Sequence, residues 1–134
     1  MTRLRAKVLL IIMSCCLSIA LLSGCTSSAS SEQEGNAEAV TVELATEPNT
    51  MEAGRAGKLV ANVTGLAKQE GAQVTFELRR PDNKGLPEFI EAEADGDGRF
   101  TAEATPEVQG SYTVYIHLYQ DELHVTKMKK LEVQ

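Results

Sequence analysis

His117 and His124 are the only two histidines in the 134 residues, and Met128 follows them closely. An imidazole nitrogen serves copper in either oxidation state, and a thioether favours Cu(I), so two imidazoles with one thioether suit copper. All three residues lie in the stretch HLYQDELHVTKM, which reads as two strands about a turn. A turn symmetric about Asp121-Glu122 places Tyr119 opposite His124, His117 opposite Thr126, and Tyr115 opposite Met128. Side chains opposite or diagonal on one face of a sheet lie about 4.5–8 Å apart. His117 is then diagonal to both His124 and Met128, with Tyr115 and Tyr119 flanking them. The expectation is a copper site of His117, His124 and Met128. The competing reading is a pair of solvent-facing histidines on an exposed hairpin.

Other chemistry finds little support. The three cysteines are Cys15, Cys16 and Cys25, all near the start of the chain, so no later thiol exists for a disulfide, a thiolate metal site or a nucleophile. Asp95-Gly96-Asp97-Gly98 invites a calcium reading, but the twelfth position of an EF-hand loop, where Glu is needed, is Pro106. These four residues read as a tight hairpin turn. Glu91, Glu93 and Asp95 make a solvated acidic edge. There is no Gly-rich phosphate loop and no nucleophile elbow, and the expectation is that the protein is not an enzyme.

The elements that must position the histidines are strands, because apolar residues alternate with period two. Val40, Val42 and Leu44 alternate with polar residues, and Leu59, Ala61 and Val63 form a second run. Val74, Phe76 and Leu78 form a third, stopped by Pro81-Asp82-Asn83-Lys84-Gly85, a strong turn cluster. Phe89–Ala94 is ambiguous. Phe100, Ala102 and Ala104 lead to Pro106, which cannot donate to a ladder. Ser111–Tyr119 is the clearest strand, with Tyr112, Val114, Ile116 and Leu118 on one face and Thr113, Tyr115, His117 and Tyr119 on the other. A last strand covers about His124–Val133. One conflict stands: Lys127 and Lys129 share the core-facing parity of Val125, Leu131 and Val133, so either a β-bulge re-aims the strand or the register differs. About seven strands separated by turns predict an all-β, immunoglobulin-like antiparallel β-sandwich over 40–134. The expected core includes Val74, Phe76, Phe100, Tyr112, Val114 and Ile116, and Tyr112 is placed to form a tyrosine corner.

The chain opens with Arg3, Arg5 and Lys7, then an apolar run from Val8 to Leu22, which has the length of a signal-peptide core rather than of a membrane span. Leu22-Ser23-Gly24-Cys25 follows and resembles the lipobox of bacterial lipoprotein precursors. The resemblance implies a signal peptide over 1–24, cleavage before Cys25 and acylation of its thiol. The protein is then lipid-anchored at the cell membrane, on its extracytoplasmic face. Thr26 rather than Asp follows Cys25, so by the same analogy nothing retains the protein at an inner membrane. Residues 25–39, rich in Ser and Glu, read as a flexible linker. Removing the leader leaves ten basic residues against nineteen acidic ones, a formal net charge of −9. That acidity argues against nucleic acid and against an anionic lipid surface as partners. An envelope protein remains a candidate partner beside the membrane reached through Cys25.

Four features together resemble the YtkA-like (FixH-like) family of small exported bacterial domains. These are the lipobox, the strand and turn GAQVTFELRRPD, the GxYxV pattern at Gly110–Val114, and the ending from His117 to Met128. The resemblance covers about 40–134. It implies a β-sandwich and a loose association with copper handling and cytochrome oxidase assembly. The chain departs from FixH-type members in lacking their transmembrane helix, which the lipid replaces here. The opposing expectation is a non-metal, immunoglobulin-like structural or protein-interaction module of the cell envelope.

Overall fold

The computed structural model describes residues 39–134. The leader over 1–24, the acylation site Cys25 and the linker up to residue 38 lie outside the described residues. Seven strands follow in chain order: β1 Thr41–Glu47, β2 Gly57–Thr64, β3 Gln73–Arg79, β4 Glu88–Ala94, β5 Arg99–Ala104, β6 Gly110–Gln120 and β7 Leu123–Val133. All pair antiparallel, in the order β1-β2-β5-β4-β3-β6-β7. The fold is all-β, as expected, and its nearly closed sheet fits a β-sandwich, one layer built from β1, β2 and β5 and the other from β4, β3, β6 and β7. The ambiguous segment Phe89–Ala94 is strand β4, and it belongs to both layers. Residues Glu88–Ala92 pair with β3, whereas Glu93 and Ala94 pair with Thr101 and Phe100 of β5.

The alternation seen in the sequence becomes the core. Val74, Phe76, Leu78, Phe100, Tyr112, Val114, Ile116 and Leu118 are all buried and form one cluster. Tyr112 turns its hydroxyl back to accept the backbone N–H of Val108 at 3.2 Å, which satisfies a polar group at the rim of the core. β5 ends at Ala104, two residues before Pro106. The turn before β5 is closed by two backbone bonds: Asp95 N–H donates to the Arg99 carbonyl and Arg99 N–H to the Gly96 carbonyl, each at 2.8 Å. Gly98 sits there at φ +76°, and its bare Cα lies against the Val63 carbonyl, where a side chain would collide.

The lysine conflict resolves without a bulge. β6 and β7 pair without interruption from Gly110↔Val133 to Gln120↔Leu123. Lys127 and Lys129 do face inward, and they are tolerated because β7 is the last strand of its layer. Lys129 reaches past the rim, and its Nζ lies 3.1 Å from a Glu43 carboxylate oxygen on β1, the last strand of the other layer. Inward charges on an edge strand discourage another chain from adding to it. A parallel bridge between Met51 and Val133 closes the same side near the end of β7.

Candidate functional site

The β6–β7 hairpin follows the symmetric register. Tyr119 pairs with His124, His117 with Thr126 and Tyr115 with Met128. The two-residue turn is Asp121-Glu122, with Asp121 at φ +51°, a conformation that Asp tolerates better than most residues. Both histidines lie on the outer face, away from the core. Their ring centroids are 6.0 Å apart, and Tyr119 stacks on His124 at 4.3 Å with an interplanar angle of 11°. The Arg79 guanidinium lies over the Tyr115 ring at 4.7 Å from its centroid.

The two imidazoles converge on one hydroxyl. His117 Nδ1 is 3.1 Å from Thr126 Oγ1, and His124 Nε2 is 3.3 Å from the same oxygen. The other nitrogen of His117, Nε2, meets Glu77 Oε2 at 3.0 Å. An ionised carboxylate only accepts, so in the neutral ring Nε2 holds the proton and Nδ1 presents its lone pair toward Thr126. A carboxylate behind the far nitrogen of an imidazole fixes the tautomer and aims the near nitrogen, which is how metal-ligating histidines are held. Met128 sits one row away, opposite Tyr115, and is 60% exposed. The structure therefore brings His117 and His124 to a common point and leaves Met128 at the edge of that face. Among the described residues, no three His, Cys, Asp or Glu side chains form a group able to hold a metal ion. What the structure brings together is the imidazole pair, with Glu77 as the group that orients His117.

Glu77 is the functional side chain that sequence reasoning missed. It points to the outer face of β3, yet its side chain is only 8% exposed. Arg79 Nε and Nη2 both reach Oε1 at 2.6 Å, which leaves Oε2 for His117. Burial opposes its ionisation. The hydrogen bonds from His117 and Arg79, with their charges, outweigh that and hold its pKa below the ordinary carboxylate value. A signal was present in Glu77-Leu78-Arg79, an acid and a base two residues apart on one face of a strand. Its pairing with a histidine forty positions later was not legible.

No family model matches the chain, and no curated protein matches it. Among solved structures it is similar to a conjugative transposon lipoprotein from Bacteroides eggerthii, at 11% sequence identity and a TM-score of 0.41, over 69% of this chain and 96% of that one.

Proposed function

We propose that the protein is a lipid-anchored binding module of the cell envelope, without enzymatic activity, that holds copper on the outer face of the β6–β7 hairpin. The anchor rests on the lipobox resemblance at Cys25. The observation behind the metal reading is the convergence of His117 Nδ1 and His124 Nε2 on Thr126 Oγ1, with Glu77 behind His117. In this reading His117 and His124 bind the ion in place of their contacts with the hydroxyl. Glu77 keeps the proton of His117 on Nε2, and Met128 supplies a thioether from the neighbouring row. A bound copper ion would give the domain a means of carrying or delivering the metal, in keeping with the YtkA-like resemblance.

Anaerobic copper titration of residues 26–134 against a competing chelator tests this. The wild type binds more tightly than His117→Ala/His124→Ala, and Glu77→Gln weakens binding by roughly 10–100-fold, the usual effect of removing a group that orients a ligand. Protons compete for the imidazole nitrogens, so affinity falls on acidification. Equal affinities for the wild type and the double variant would remove the site and leave a non-metal interaction module as the better account.

A further inference from the structure

The two layers of the sandwich are closed differently on their two sides. On one side, the Lys129–Glu43 ion pair joins β7 to β1, and the Met51–Val133 bridge joins β7 to the segment that follows β1. On the other, β4 meets β5 only through Glu93 and Ala94. Among the described residues, Glu88–Ala92 of β4 has a ladder partner on its β3 side and none on the other. Every residue of β4 is exposed or half-buried, including Ile90 and Ala92, which share the core-facing parity opposite Phe76 and Val74. An open strand edge presents a row of free N–H and C=O groups. β4 also lacks the inward lysines that guard β7: it contains no lysine and no proline, and no bulge interrupts its pairing with β3.

We infer that the free edge of β4 is a docking site for an extended, basic segment of a partner protein, which adds to the second layer as a further strand. Three observations select that occupant. First, an added strand would lay one set of alternate side chains over half-buried Ile90 and Ala92, so those residues are apolar. The seam opens at the start of β4 into a cleft of about 400 Å³, whose apolar wall includes Leu78, Leu86 and Tyr112. Leu86 is 92% exposed and gains cover from the same partner. Secondly, the other set of side chains would lie beside Phe89 and Glu91 on the outer face, with Glu93 just past the open stretch. Phe89 is 63% exposed, and no ion pair engages Glu91, Glu93, or Glu88 at the strand's start among the described residues. Alternating lysine or arginine would complement these acids. Thirdly, a second copy of this chain would set β4 against β4 and place like charges across the new ladder, which is destabilising. Main-chain bonds supply affinity in strand addition, and alternate side chains supply specificity. The inference uses the seam between the layers and does not depend on the histidines.

The test is hydrogen exchange on the full chain in non-ionic detergent, with and without a short blocked peptide of alternating lysine and valine. The expected result is slowed exchange at residues 88–92, with β6 and β7 unchanged. A peptide of alternating glutamate and valine gives no such protection. Glu91→Lys/Glu93→Lys weakens lysine–valine binding by about tenfold, the loss of exposed pairs compounded by new repulsion. Ala92→Lys, which installs the inward charge that guards β7, abolishes it while exchange in β6 and β7 shows the fold intact. Three outcomes would overturn the inference: protection confined to β1 or β7, equal protection by both peptides, or a chain that dimerises without peptide and shields 88–92 by itself. Copper titration reads the histidines and leaves this result untouched, so the two proposals fail separately.

Discussion

Replacing Glu77 by Gln keeps the shape of the side chain and removes only its charge. In the wild type, Oε1 accepts two bonds from Arg79 at 2.6 Å and Oε2 meets His117 Nε2 at 3.0 Å. Hydrogen bonds to charged groups contribute about 1.5–3 kcal/mol and neutral ones about 1. The Arg79 side chain is 51% exposed, so water screens that pair, and its loss costs about 0.5–1 kcal/mol. The His117 side is shielded. A Gln amide set toward Nε2–H opposes donor to donor unless the ring changes tautomer and Thr126 turns, which costs about 1–2 kcal/mol. Together these come to about 2 kcal/mol, or roughly 8–16 °C in the thermal midpoint of a domain of this size. The pH dependence follows from the lowered pKa of Glu77. A carboxylate whose folded pKa is depressed stabilises fully above its unfolded value, about 4.3, and that stabilisation is lost as pH falls through the folded value. The gap between wild type and Glu77→Gln is therefore widest at neutral pH and closes below about pH 4.3. Circular dichroism melts of both proteins from neutral to acid pH measure it. Midpoints within about 2 °C of each other at neutral pH, or a gap that persists at the acid end, would refute the argument.

Three further outcomes follow. Phe76→Ala empties a fully buried site and costs roughly 3–5 kcal/mol in denaturant melts; an unchanged midpoint would mean that this face of β3 is not core. Tyr112→Phe removes the acceptor for Val108 N–H and lowers stability by about 1 kcal/mol; protected exchange at that amide in the variant would count against the bond. Mass spectrometry of the mature protein from native membranes finds an N-terminal acylated Cys25; an intact leader or an unmodified thiol contradicts the anchor.

The hairpin was legible because two local facts settle it. The parity of Tyr112–Leu118 says which face of β6 is buried, and a two-residue turn admits one register. Tyr119↔His124 and His117↔Thr126 follow from those alone. The role of Thr126 was not legible, since it depends on ring orientation rather than on strand position. Glu77 escaped because period-two alternation marks it as solvent-facing, and its burial comes from Arg79 on its own strand and His117 on β6. Lys127 and Lys129 seemed to contradict the register for a related reason. Alternation tells which way a side chain points but not whether its strand lies at the rim, where a long side chain can leave the core. Phe89–Ala94 was ambiguous because a strand that changes layers halfway is only half-covered on its inner face, at Ile90 and Ala92, while the large apolar Phe89 stands exposed on the outer one.

The stacking of Tyr119 on His124 has an optical consequence. The chain contains three tyrosines and no tryptophan, so tyrosine emission is not masked by a stronger fluorophore. Tyr112 is buried in the core, whereas Tyr115 and Tyr119 lie on the outer face, Tyr119 in contact with an imidazole. Whatever changes the charge or occupancy of His124 acts on a chromophore already pressed against it. The protein thus contains its own reporter group, and comparing wild type with Tyr119→Phe isolates its signal without an added dye.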